Sequence, residues 1–304
     1  MRPKLSIPAQ IKDMKEAGIT FDNVSEVDAR RYLEQYTYYF RIKAYAKNYE
    51  KYIGTEKQGQ YINLDFAYLV DLAEIDSRLK KIILDMAFDI EHFLKVKLLS
   101  DFNTTYEDGY EIILDLFAMQ PELCESIADK TKSPHCSDLI KKYKDEWALW
   151  NIVEVLTFGQ FITLYRLFYA RNNFKNTYIS LLLPVNMIRN AAAHNNCLIN
   201  RLRPPYGGRV SPCYELRNEL LQNTVISKSI LEKRLSHPAI NDFSALLYLY
   251  SLIVPAKVRE SSTNKLTELF NNRIPQNKEY YVKNESLRAT YGFVLNVLHC
   301  FIDN

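Results

Sequence analysis

Glycine is scarce in this chain, with 8 in 304 residues beside 11 prolines. So few turn-formers exclude a fold of many short strands. With abundant Leu, Ile, Lys, Glu and Asn, they imply an all-α protein. Cysteine is as sparse: Cys124, Cys136, Cys197, Cys213 and Cys300 are odd in number, scattered, and form no CxxC pair. That excludes a disulfide framework. His135-Cys136 with Cys124 is a poor zinc pattern, so no metal and no other cofactor is expected. Neither sign of charge dominates, since 39 Lys and Arg against 36 Asp and Glu leave a net +3. Any nucleic-acid surface is then a local patch and not a global field. The longest apolar run, Ala245 to Val254, is about half of the roughly 20 residues a membrane helix needs, and Pro255 closes it. The start, MRPKLSIPAQIKDMKEAG, lacks the apolar stretch of a secretory signal. A cytoplasmic protein without a membrane partner is the expectation.

A hydrophobic content of 47% supports a sizeable core. Hydrophobic spacing marks a short helix ending at Gly18 and a second from about Asp28 to Tyr52. In the second, Tyr32, Tyr36, Tyr39 and Lys43 share a face. Such a stripe reads either as a surface that stacks single-stranded RNA or, more commonly, as core. Leu64 to Phe102 is the longest periodic stretch, one long helix or two with a bend. In it Glu91 and Lys95 stand i,i+4 in the favourable order, either a surface pair or an acid that orients an active-site cation. A helix from Trp147 carries Gly159 in its middle, and another runs from Pro184, as first residue, to about Leu198. The basic, Pro- and Gly-rich RLRPPYGGRVSP at 201–212 is the clearest break. It sets a C-terminal helical extension (213–304) off from a helical core (61–205), on which an N-terminal helical segment (1–60) is expected to pack.

Arg189-Asn190-Ala191-Ala192-Ala193-His194 is the segment that carries chemistry. No other arginine here has a histidine five to seven residues after it. A permanent cation beside a group that exchanges protons near neutral pH suits phosphodiester cleavage. Arg189 would bind non-bridging phosphate oxygens, His194 would act as general base or acid, and Asn190 would orient the imidazole or donate to the phosphate. RNA supplies its own nucleophile in the 2′-OH, so a 2′,3′-cyclic phosphate and a 5′-OH are the expected products. On a straight helix Arg189 and His194 point about 140° apart. Convergence on one phosphate therefore needs reach, distortion, or a second copy of the chain approaching over the small alanine face, as in a homodimer.

The same segment, extended to Leu198, Asn200 and Arg201, resembles the signature of abortive-infection proteins of the AbiD/AbiF type. Three further blocks resemble that family: YLEQYTYYFRIKAY (32–45); 76–98, through Asp76, Leu79, Ile90, Glu91 and Leu94; and 147–165, through Trp150, Glu154, Phe158, Gly159 and Tyr165. Lys80 and Lys95 depart from it, standing where arginine is common. The resemblance implies the HEPN superfamily, whose members are all-α bundles, usually dimeric, many of them metal-independent ribonucleases active in phage defence. It also implies a possible cognate small structured RNA. Arg189, Asn190 and His194 carry over as catalytic, and Asn200 and Arg201 as positioners. Asn195, Arg203, Glu91 and Lys95 join these as candidate RNA contacts. The rival expectations are a non-catalytic module that captures a small structured RNA, and a helical adaptor.

Overall fold

The computed structural model describes residues 4–302 apart from 176, 207 and 209. Helix α1 (Ile7–Glu16) starts at Ser6, whose hydroxyl accepts from the Ala9 amide, and the chain turns at Gly18 with φ +83°. A Cβ there would lie 2.7 Å from Cβ of Gln60, so the turn needs glycine for both its backbone and its space. The turn feeds β1 (Ile19–Thr20), which pairs in parallel with β2 (Leu64–Asp65), Ile19 opposite Leu64. No other strand occurs among the described residues.

The predicted helix from Asp28 to Tyr52 is not continuous. It is split into α2 (Glu26–Gln35), α3 (Tyr39–Ala44) and a 3-10 turn over Tyr45–Asn48. Tyr38 is extended at φ −119°, ψ 151°, and there the single tyrosine face is lost. Tyr45 and Tyr49 enter the core, while Tyr36 and Tyr38 stay exposed. Lys43 pairs with Asp13.

Between residues 64 and 102 there is neither glycine nor proline, and Asp65 caps the start by accepting from the Ala67 amide at 2.9 Å. The result is α4 (Phe66–Phe102), 37 residues without a break and about 55 Å long. Its apolar residues are not confined to one stripe, so it runs through the middle of the molecule. Leu69, Leu72, Ile83, Met86, Ile90, Leu94 and Leu98 are all fully or nearly fully buried.

Short helices α5 (Glu111–Met119), α6 (Glu122–Asp129) and α7 (Ser137–Tyr143) follow, then α8 (Leu149–Ile152). The expected single helix from Trp147 stops at α8. Thr157 caps a new one, α9 (Phe158–Asn172), with Gln160 answering in a capping box. Gly159 therefore lies in a first turn, and a Cβ there would meet only ordinary contact, 3.7 Å from Asn186.

Helix α10 (Ile179–Ala193) lies antiparallel to α4, with Tyr178 beside Lys97 at one end and Asn195 bonded to Lys80 at the other. The last hundred residues form α11 (Tyr214–Asn223), α12 (Lys228–Leu235), α13 (Pro238–Ile253), α14 (Ala256–Thr267), a π turn (Glu268–Arg273), a 3-10 segment (Pro275–Tyr281) and α15 (Glu285–Phe301). Helix α13 packs on both α10 and α4. Leu246, Leu247 and Tyr250 have no exposed surface, and the Tyr250 hydroxyl donates to Asp89 at 2.8 Å. Arg273, 7% exposed, holds Asp71 at 2.7 Å and Glu74 at 2.9 Å on α4. Among the described residues no helix is long and apolar enough to cross a membrane. The fold is all-α, as the composition implies.

Candidate active site

Helix α10 does not begin at Pro184. Burial of Leu181, Leu182 and Val185 draws the helix upstream to Ile179, leaving Pro184 inside it despite a cost of about 3 kcal/mol or more for an interior proline. Nor does it reach Leu198. Ala193 is its last residue, His194 is the cap, and Asn195 follows in the left-handed region at φ +55°. The Asn196 amide donates to Ala191 O at 2.9 Å and the Asn195 amide to Ala192 O at 3.0 Å. This is the paired closure of a Schellman cap, and asparagine is among the few residues besides glycine that tolerate its left-handed position.

The cap decides where the candidate catalytic groups sit. His194 is exposed, and its ring makes no hydrogen bond among the described residues. Arg189 is half-buried, and its Nη1 donates to Asn190 Oδ1 at 3.0 Å. The asparagine that the sequence offered as a clamp on the imidazole is therefore bonded to the guanidinium. Leu183 and Met187, each 55% exposed, share this face of α10 with Asn190 and His194, at i, i+4, i+7 and i+11.

Below the cap, buried charges hold the loop that leaves the motif. Asp76 of α4 has no exposed surface. Its carboxylate accepts from the Leu198 amide at 2.8 Å, the Ile199 amide at 3.1 Å and the Tyr45 hydroxyl at 2.9 Å. Lys80, one turn on, pairs with it at 2.8 Å, and Arg41 of α3 stands 3.6 Å away. Both cations also reach the cap. Lys80 donates to Asn195 Oδ1 at 2.8 Å, and Arg41 donates to Asn195 Oδ1 at 3.0 Å and to its carbonyl at 2.7 Å. Asn48, 2% exposed, continues the anchoring by donating to Ile199 O at 2.8 Å and accepting from the Leu202 amide at 2.7 Å. Burial, then the charge of Asp76, push the Tyr45 hydroxyl far above its usual range, so it stays a donor.

The other candidates fall into separate places. Asn195 sits on the cap with its side-chain oxygen already engaged. Asn200 is half-buried, with no side-chain hydrogen bond among the described residues. Arg201 is fixed through its backbone, where the carbonyl accepts from His237 Nε2 at 2.7 Å. Arg203 pairs with Glu50 at 3.0 Å. Glu91 and Lys95 pair at 3.1 Å, mostly buried, with Lys95 6.0 Å from the Phe161 ring centre. Their ion partner among the described residues is each other, so Glu91 does not hold Arg189 or His194. The anchoring set of Arg41, Asn48, Asp76 and Lys80 was not assigned a role from the sequence, although Arg41 and Asp76 fell in blocks matched by resemblance and Lys80 was noted there as a departure. The available signal was an aspartate and a lysine i,i+4 inside an otherwise apolar helix stretch, where an unsatisfied charge would be too costly to keep.

No curated protein and no solved structure matches the chain. A family described as Abi-like protein matches residues 31–200, which span the exposed histidine, the half-buried arginine and every one of the four anchoring residues. With more than half of its length inside that match, the chain belongs to the Abi-like protein family.

Proposed function

We propose that this chain is a metal-independent endoribonuclease of the HEPN type, close to the AbiD/AbiF proteins, that acts in abortive infection on single-stranded RNA in the cytoplasm. Membership of the Abi-like family supports the role in phage defence. The observation that carries the chemistry is His194, exposed at a capped helix end with no ring hydrogen bond among the described residues, five residues after a half-buried arginine.

The reaction needs two proton transfers. The 2′-OH loses its proton as its oxygen bonds to phosphorus, and the 5′-oxygen gains one as its bond to phosphorus breaks. One imidazole can serve both only in sequence. Two copies of α10 meeting through Leu183 and Met187 would bring two histidines to one groove, which each Arg189, well round the helix from that face, would enter only by the reach of its side chain, so a homodimer is part of the proposal. Arg189 would neutralise the phosphate oxygens as charge builds. Asn195 would act indirectly, by holding the cap against Arg41 and Lys80. A small structured RNA remains the candidate restraining or guiding partner.

The test is RNA cleavage by wild type and His194→Ala, with end chemistry read by sequencing. Loss of about 10²–10⁴-fold in rate, with 2′,3′-cyclic ends confined to wild type and RNA binding retained, is expected. Failure of wild type to cleave at any pH, with or without metal, while still binding RNA, would make the chain a capture module.

A further inference from the structure

Behind the motif, on the face of α10 turned away from His194, an apolar pocket opens to the surface beside Lys278 and Arg288. A cavity of about 410 Å³ lies between α4, α10, α13, the π turn and α15. Its wall is hydrocarbon: Leu79, Ile83, Ile188, Ile240, Phe270 and Val294 face it.

The polar groups on that wall are occupied elsewhere. Tyr281 donates to Asp71, Tyr291 donates to Phe270 O at 2.8 Å, and Thr290 donates to Ser286 O at 2.8 Å. Water needs two to four polar partners to settle in such a space, so this one favours an apolar occupant. The charged residues lining it are Lys278 and Arg288, both exposed, and neither is in an ion pair among the described residues. An apolar pocket edged by two cations without an ion pair among the described residues is complementary to one kind of molecule.

The geometry points to a binding site for a fatty-acid carboxylate, its chain in the cavity and its head on Lys278 and Arg288. A cavity of 150 Å³ holds a six-carbon ring, so 410 Å³ has room for on the order of a dozen carbons. Ile188 and Leu198, which bracket the motif, both line the chamber, so an occupant would rest against the segment that carries Arg189 and His194. The site stands whether or not the chain cleaves RNA.

Isothermal titration calorimetry on the full chain, with carboxylates of 8 to 16 carbons below their micelle concentrations, tests it. Saturable one-to-one binding is expected, tightening about fourfold per methylene until the chamber is full and then levelling. Dodecanol should bind at least tenfold more weakly than dodecanoate. Lys278→Glu with Arg288→Glu, both on the surface, should weaken dodecanoate at least tenfold with an unchanged circular dichroism spectrum. Val294→Trp should block binding by filling the space. Absence of saturable binding, equal affinity for dodecanol, or indifference to either variant overturns the assignment.

Discussion

Replacing Asp76 by asparagine changes one atom and should cost more stability than most larger substitutions in this chain. Asparagine keeps an oxygen for the Leu198 and Ile199 amides, which lie 2.8 and 3.1 Å from Oδ1. It places an NH₂ where Oδ2 now meets the Lys80 ammonium at 2.8 Å. Donor then faces donor, and a lysine that is 4% exposed loses its counter-charge. Breaking a buried pair from one side costs about 3–5 kcal/mol, against a total stability of about 5–15 kcal/mol for a folded domain. Urea unfolding at pH 7 should show a loss in that range. Adding Lys80→Met removes the stranded cation, so the double variant should recover about 0.5–3 kcal/mol relative to the sum of the single effects. A loss below about 1 kcal/mol for Asp76→Asn, or strict additivity in the double variant, would refute the view that this pair holds the loop behind the motif.

Three further outcomes follow from the same geometry. Asn195→Gly keeps the left-handed cap, which glycine favours, but deletes the acceptor shared by Arg41 and Lys80; a net loss of about 1 kcal/mol or more in urea unfolding is expected, whereas backbone preference alone predicts a gain. Met187→Asp puts a charge on the exposed face of α10 and should shift sedimentation velocity from dimer to monomer, with thermal unfolding of the monomer little changed. Burial, with the Arg234 charge adding to it, holds the His237 pKa below its ordinary value, although the ring donates to Arg201 O, a bond that works in the opposite direction; the neutral ring also accepts from the Ile240 amide. The unfolded chain then binds the proton more readily, so this contribution is complete above about pH 6.5 and is lost as pH falls through the folded value. His237→Gln should flatten that part of the stability–pH curve.

Much of the architecture was legible in the chain itself. The scarcity of glycine and the periodicity of residues 64–102 pointed to an all-α molecule with one long helix or two with a bend there; the structure keeps it as one, since nothing in that stretch interrupts i to i−4 bonding. The pairing of Arg189 with His194 was likewise visible, since spacing along a chain is a one-dimensional fact. Helix ends were less so. Proline at 184 reads as a start, yet packing of Leu181 and Leu182 outweighs its penalty, and the left-handed turn at Asn195 closes a helix that propensity would carry further. Only the tertiary structure decided that Arg41, Asn48, Asp76 and Lys80, spread over 40 positions, converge beneath one cap, and that α13 shares the core with α10. Those are contacts between segments distant in sequence, and burial, which makes each charge pair necessary, exists only once the segments have met.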